Sequence, residues 1–327
     1  MTVHVFDCHS DMFINVTKKR QEGMNHVIGS CHWPQLQAGG VGAMLCCTWI
    51  DPPYATKNPM ERMLEILGNV SDELNEAHDV AEVARCADDI ERIRRDGKLA
   101  ILWGMEGLSG LHGNVSFLTA LYRLGVRHAM LTWNEENEFA TGVGSPHTDR
   151  GVTEKGVEAL KHMERLGMLV DVSHANERTF WDVYEHTEKP FIASHSNAYA
   201  LCPNARNLKD DQIKAIASRH GVIGMNAWPV FIDGNAPSVE RLADHVDYIV
   251  NLAGIESVAC GFDFCDYLDD VCMSFSAEDD MEETKGLASA AEVPLFMDAL
   301  KRRGYSDDDI KKIAFGNMMR VLKEVLK

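Results

Sequence analysis

The sequence predicts a single-domain (β/α)8 barrel of the TIM type that extends over residues 1–327. Eight short apolar segments alternate with longer helical patterns, as in proteins built from βα units around a parallel sheet. No linker rich in proline, glycine or serine divides the chain, and barrels of this length commonly form one domain. No G-x-G-x-x-G motif follows a predicted strand, which disfavours an open sheet that binds a dinucleotide.

The predicted strands are short segments rich in apolar and β-branched residues. They comprise residues 3–7, 42–48, 99–104, 128–132, 169–173, 191–194, 222–225 and 258–261. Helical patterns occupy residues 60–84, 153–166, 177–186, 210–219, 239–253, 293–303 and 306–326. Pro59 and Thr153 stand where helices begin, and Gly167 and Gly254 stand where helices end.

Composition and charge exclude several classes of partner. A hydrophobic content of 45% with 25% charged residues is typical of a globular protein with a large core. The net charge of -18 would repel phosphate backbones and anionic lipid, so we expect neither nucleic acid nor membrane as a partner. The N-terminus lacks a secretory signal pattern, so a cytoplasmic location is expected. Nine cysteines without a C-x-x-C pair are interpreted as reduced core residues.

The first predicted strand ends in a sequence that offers two metal donors. In a TIM-type barrel the active site lies at the C-terminal ends of the strands, so polar residues there are candidates for function. Because strand side chains alternate, Asp7, His9 and Asp11 are expected to share one side while Cys8 faces away. A turn with a surface histidine and a helix-capping aspartate is the alternative for this pattern alone.

Glu106 follows the apolar segment 99–105 and is flanked by glycines. A carboxylate buried at that position needs a hydrogen-bonding partner or a cation. A salt bridge to an arginine or lysine of the barrel is the alternative to metal binding.

His174 and His195 follow consecutive apolar strands. One such histidine is more often a packed core residue, but two of them with His9, Asp11 and Glu106 form a set of nitrogen and oxygen donors. Five donors exceed the needs of one tetrahedral zinc, so we predict two Zn²⁺ ions that share Glu106 and activate a bridging water. The imidazoles favour zinc over magnesium or calcium, while manganese, cobalt and iron remain open.

Asp263 follows the last predicted strand and is not needed as a ligand. Its position suits a group that takes a proton from the attacking water and returns it to the leaving group. A helix cap, or a hydrogen-bond partner of a metal-binding histidine, is the alternative. The remaining histidines, His128 among them, are interpreted as surface or packing residues.

Short motifs that together resemble one known family extend over nearly the whole chain. They are DCHSD (7–11), GMEG (104–107), TDRG (148–151), GMLVDVSH (167–174), SHSNAY (194–199), ARN (205–207) and GN (316–317). They resemble the membrane or renal dipeptidases, peptidase family M19 of the amidohydrolase superfamily. The resemblance implies a (β/α)8 barrel with two zinc ions and makes a homodimer a fair expectation.

The resemblance also implies roles for single residues. It places His9 and Asp11 on one metal, and His174 and His195 on the other, with Glu106 as the bridge. It further implies that Arg206 binds the C-terminal carboxylate of the substrate and that Asp263 is the catalytic acid and base.

The chain departs from the family pattern near the predicted substrate site. Animal members have a histidine after Leu-Thr that polarises the substrate, whereas this chain has Trp133 followed by Asn134. Asn134 or a metal is expected to take over that contact. Trp133 and Asn134 are both assigned to substrate binding. Cys265 replaces the second aspartate of the family's Asp-Phe-Asp-Gly motif, and the first, Asp263, is retained.

The function predicted from these residues is zinc-dependent hydrolysis of dipeptides, including those with a C-terminal D-residue. Another amidohydrolase reaction, on an N-acyl amino acid, a lactone or a cyclic amide, is the alternative, because fold and metals permit both. A non-catalytic scaffold is disfavoured by the retention of all five ligands and Asp263.

Overall fold

The computed structural model of the chain describes residues 4–269, 273 and 283–327. The strands within this part are β1 (Val5–Ser10), β2 (Val41–Trp49), β3 (Ala81–Val83), β4 (Leu99–Glu106), β5 (Val126–Met130), β6 (Leu169–Asp171), β7 (Phe191–Ile192), β8 (Ile223–Met225) and β9 (Val258–Cys260). They form one sheet in the order β7-β6-β5-β4-β2-β1-β9-β8, and β3 pairs with β4 outside this order. Every pairing between these strands is parallel.

The two ends of this strand order meet next to β7. Ala193 forms a parallel bridge with Ile223 of β8, and its amide donates to the Val222 carbonyl at 3.0 Å. The amide of Gly224 donates back to the Ala193 carbonyl at 2.8 Å. These bonds close an eight-stranded barrel and confirm the predicted fold class. All eight predicted strands are present; Val3, in the first of them, lies outside the described residues.

Helices surround this barrel. Those of the described residues are α1 (Met12–Gln21), α2 (Trp33–Gly39), α3 (Pro59–Glu76), α4 (Ala87–Arg95), α5 (Phe117–Leu124), α6 (Glu154–Leu166), α7 (Glu177–His186), α8 (Asp210–Ser218), α9 (Pro229–Ile232), α10 (Val239–Ala253), α11 (Val293–Arg302), α12 (Asp307–Lys311) and α13 (Asn317–Val325). Thr153 caps α6 by accepting from the Gly156 amide, and Gly167 ends that helix with a φ of 80°. None of the described helices is long and apolar enough to cross a membrane.

Two predicted helices are wrong in extent. The helix expected over 60–84 ends at Glu76, because residues 81–83 pair with Leu99–Ile101 as β3 instead of continuing the helix. The helix expected over 306–326 is interrupted by a π-helical turn at Lys312–Gly316. After this turn the side-chain Nδ2 of Asn317 donates to the backbone carbonyls of Ile255 and Val258, both at 2.8 Å.

Glycines allow β8 and β9 to approach the segment after β7. A Cβ atom on Gly224 or on Gly261 would lie 1.8 Å from the Ser194 carbonyl oxygen. A side chain of any size at either position would therefore push apart the strands that close the barrel.

We expect Gly224→Ala to lower the free energy of unfolding by about 1–3 kcal/mol or more, the usual cost of overpacking a well-packed interior. Gly68→Ala is the matched control, because Gly68 lies within α3 and an added Cβ meets nothing within 4 Å. That control should gain about 0.5–1 kcal/mol from helix propensity. Urea unfolding of both variants measures the difference, and equal effects would contradict the closure argument.

Candidate metal centre

Irregular pairing of β1 places His9 at the mouth of the barrel. The register of β1 on β2 shifts between Asp7 and Ser10, and bulges of this kind commonly re-aim a side chain next to a site. Cys8 packs in the same buried cluster as Cys47, whose thiol lies 3.8 Å from His9 Nδ1. The expectation that Cys8 faces away from the side of His9 stays a prediction.

Glu106, the last residue of β4, lies at the centre of the predicted ligands. Its Oε2 is 3.2 Å from His9 Nε2, and its Oε1 is 2.8 Å from His174 Nε2 and 3.9 Å from His195 Nε2. No lysine or arginine of the described residues forms a salt bridge with Glu106. Its two oxygens thus face different imidazoles, as a bridging ligand requires.

Two aspartates complete the cluster on the His9 side. Asp11 Oδ2 is 3.6 Å and Asp263 Oδ1 is 3.7 Å from His9 Nε2. Donor atoms of His9, Asp11 and Asp263 lie within 4.8 Å of one another, as do those of Glu106, His174 and His195. The structure therefore brings all five predicted ligands together, with Asp263 beside them. Asp263 is close enough for either proposed chemistry, metal ligation or proton transfer.

The other ring nitrogens of two histidines are held by polar side chains. Asn134 Oδ1, which only accepts, lies 2.7 Å from His174 Nδ1, so that nitrogen carries the proton and Nε2 has a free lone pair. Ser194 Oγ lies 2.8 Å from His195 Nδ1. The Nε2 atoms of His174 and His195 are 2.9 Å apart, so a metal ion would give both lone pairs a common partner.

Buried atoms without hydrogen-bond partners also suit a metal. His9 Nε2, Asp11 Oδ1 and Glu106 Oε2 are buried and make no hydrogen bond. Buried polar atoms are nearly always satisfied, so three of them in one cluster call for a cation. The residues present therefore fit a metal bound by nitrogen and oxygen.

Burial shifts the charge of Glu106, Asp263, His174 and His195 toward the neutral form. It raises the pKa of Glu106 well above its usual value, with the charge of Asp11 adding to the effect. It raises the pKa of Asp263 to about 6. Burial, helped by the charges of Arg206 and His9, also lowers the pKa of His174 and His195 well below the usual range. Neutral imidazoles are the form that binds metals.

His174 and Asp263 have backbone φ angles of 66° and 59°, in the left-handed region that residues other than glycine seldom adopt. Each such residue costs on the order of 1–3 kcal/mol, and such strain concentrates at functional sites. Gly107, with a φ of 82°, follows Glu106; a Cβ there would lie 2.9 Å from the Trp133 amide nitrogen.

His128 is a buried residue of this region whose role the sequence did not indicate. Its Nε2 lies 2.8 Å from Asp171 Oδ2. Asp171 Oδ1 accepts from the amides of Ser173 and Ser194. Burial opposes the charge of Asp171, but the interactions with His128, Ser194 and Ser173 together outweigh it and lower the pKa of Asp171. Strand register places these residues together, and register cannot be read from spacing alone.

The residues predicted to bind substrate line a cleft next to this cluster. Arg206, Asn134 and Trp133 share it with Glu106 and Asp263. Arg206 is buried, and its guanidinium donates to the His195 carbonyl at 3.3 Å. Burial lowers the pKa of Arg206 to about 10, so the side chain stays positively charged at neutral pH.

Comparisons with known proteins agree with this geometry. A family model described as membrane dipeptidase (peptidase family M19) matches residues 1–327. An uncharacterized protein in the pqqA 5′ region of Klebsiella pneumoniae is 38% identical over 261 residues, 76% of this chain and 91% of that protein. Dipeptidase aclJ of Aspergillus oryzae is 30% identical over 318 residues, 92% of this chain and 71% of that protein. A metallo peptidase of Rhodobacter sphaeroides, liganded with a phosphinate mimic of L-Ala-D-Ala, superposes with a TM-score of 0.87 at 23% identity, covering 99% of this chain and all of the other.

We expect Glu106→Ala to lose metal binding, because it removes the carboxylate that faces three imidazoles. Zinc added to chelator-treated native protein should raise the unfolding temperature. At a free zinc concentration 100-fold above Kd, the free energy of unfolding should increase by about 2.7 kcal/mol. The variant should show little of this shift and little bound metal in elemental analysis. Glu158→Ala, which removes an exposed carboxylate of α6, is the control and should behave as the native protein. Native metal affinity in Glu106→Ala would exclude Glu106 as a ligand.

Proposed function

Because the chain belongs to the membrane dipeptidase family, peptidase family M19, we propose that it hydrolyses dipeptides with two zinc ions. The family consists of metal-dependent dipeptidases, and we add that the metals are two zinc ions. The position of Glu106 supports two ions, because one of its oxygens faces His9 at 3.2 Å and the other faces His174 at 2.8 Å. His9 with Asp11 would hold one ion, and His174 with His195 the other.

The donor set supports zinc. Three imidazoles and two carboxylates suit zinc better than magnesium or calcium, which prefer oxygen ligands alone. Zinc bound at this cluster would supply a Lewis acid for the peptide carbonyl and lower the pKa of water. Cys47 lies near donor atoms of His9 and Glu106, but its thiol contacts His9 Nδ1 at 3.8 Å and burial raises the pKa of that thiol, so we assign it to orienting the ring.

Asp263 is proposed to move the proton. Asn226 Nδ2 donates to Asp263 Oδ2 at 3.1 Å, which leaves Oδ1 facing the cluster, 3.7 Å from His9 Nε2. A pKa of about 6 suits a group that accepts a proton near neutral pH and gives it up again. The carboxylate would accept a proton from the attacking water as the new C–O bond forms. It would then deliver that proton to the amide nitrogen as the C–N bond breaks, leaving two amino acids.

Arg206 is proposed to bind the free carboxylate of the substrate. Its guanidinium is charged and buried, and its Nε has no hydrogen-bond partner among the described residues. A buried charged donor of this kind gains a strong bond when a carboxylate enters the cleft. The acceptance of C-terminal D-residues, the homodimer and the cytoplasmic location expected from the sequence stay predictions.

Replacing Asp263 separates proton transfer from metal binding. Asp263→Asn keeps the size of the side chain and one acceptor oxygen but cannot accept the proton. We expect kcat to fall about 10²- to 10⁴-fold while the metal content stays near native. Asp298→Asn, on the exposed surface of α11, should leave both unchanged. If Asp263→Asn loses metal in parallel with activity, Asp263 is a ligand; if it stays active, Asp266 is the next candidate.

A test of Arg206 compares substrates with and without a free carboxylate. Arg206→Ala should raise KM more than it lowers kcat, provided that the contact is equal in ground and transition states. The native enzyme should hydrolyse a dipeptide amide poorly for the same reason. Arg178→Ala, whose side chain is 61% exposed on α7, is the control. Equal turnover of acid and amide would exclude this role, and faster turnover of N-acyl amino acids would favour the alternative amidohydrolase reaction.

A further inference from the structure

Aromatic side chains form much of the wall of the cleft. Its lining residues within the described part of the chain include Trp49, Trp133, Trp228 and Phe231, with Leu268 as a further apolar contact. Apolar walls with a few placed polar groups are typical of small-molecule sites. Neither the metals nor the proposed proton transfer requires these rings.

Trp133 and Trp49 form one continuous surface beside the metal cluster. Their ring centroids are 5.3 Å apart with a 55° angle between the planes, and the centroid of Trp133 is 5.9 Å from that of His174. Trp49 is the last residue of β2 and only 1% exposed, so its ring is held in the core and Trp133 packs against it. Trp133 is half-buried, more accessible than Trp49, and also lines the cleft.

The backbone of Trp133 is held in place by two close glycines. A Cβ on Gly107 would lie 2.9 Å from the Trp133 amide nitrogen. A Cβ on Gly142 would lie 2.1 Å from the Trp133 carbonyl oxygen. Such close contacts on both sides fix the backbone of Trp133 relative to Glu106, the neighbour of Gly107.

Several polar groups that line the cleft have a partner within the described residues or a role in the proposed site. Asn134 Oδ1 accepts from His174, and the Cys265 thiol donates to the Asp263 carbonyl at 3.5 Å. Arg206 is assigned to the substrate carboxylate. A charged side chain of the substrate that lay against the indole would lose hydration that the ring does not replace.

We propose that Trp133, backed by Trp49, is a specificity-determining residue that selects dipeptides with a large apolar or aromatic side chain. This inference rests on the proposed function and adds the substrate class to it. An aromatic side chain stacked or tilted against the indole buries apolar area and gains the additional attraction of an aromatic pair.

Two peptide series, Xaa-Ala and Ala-Xaa with alanine, leucine, phenylalanine and aspartate as Xaa, test the proposal and show which substrate residue contacts Trp133. In at least one series the native enzyme should favour phenylalanine over alanine about 10-fold or more in kcat/KM, a ratio typical of apolar pockets. Trp133→Ala and Trp133→Leu should each reduce that ratio, Trp133→Ala by about 10-fold. Trp133→Phe should restore most of it.

Trp181→Ala is the matched control. Trp181 lies on α7 against Phe180 and Tyr184, so its loss should leave the phenylalanine-to-alanine ratio at the native value. Native hydrolysis without any preference for large apolar residues would overturn the subsite and leave the proposed function intact. The same preference in native enzyme and in folded Trp133→Ala would also overturn the subsite. No hydrolysis of any peptide by metal-loaded native enzyme would overturn both proposals.

Discussion

A buried carboxylate that has imidazoles as neighbours, instead of a lysine or arginine, is the constraint on which the site depends. Glu106 is 3% exposed, and its oxygens face His9, His174 and His195. Four side chains outside the ligand set contact the groups around it. Asn134 contacts His174, Ser194 contacts His195, Cys47 contacts His9, and Asn226 donates to Asp263. Each contact leaves the atom that faces the centre available for a metal or a substrate.

This arrangement is costly, and the barrel supplies the stability that sustains it. His174 and Asp263 adopt left-handed backbone conformations, and buried carboxylates and imidazoles lie within 4 Å of one another. The parallel strands below are buried on both faces, with apolar clusters inside and outside the sheet, as expected for a closed barrel. Strain confined to the strand ends can therefore be tolerated while the rest of the barrel keeps regular geometry.

The sequence predicted what depends on local pattern and failed where distant residues decide. The eight barrel strands were recognisable because apolar segments alternate with helical ones, and the ligands because they follow those segments. The strand β3 was assigned to a helix because three residues carry no period of their own. The pairing of His128 with Asp171 joins residues 43 positions apart on neighbouring strands.

The predicted metal ligands His9 and Glu106 lie on strands, whereas the proposed specificity residue Trp133 lies in a loop. His9 and Glu106 belong to strands, so their geometry is set by sheet register and tolerates little change. Trp133 lies in the irregular segment after β5, where its position depends on contacts with Gly107 and Gly142. The family resemblance implies a histidine at this point. The tryptophan in its place is consistent with our proposal that specificity changes here while the strand-borne residues of the site are retained.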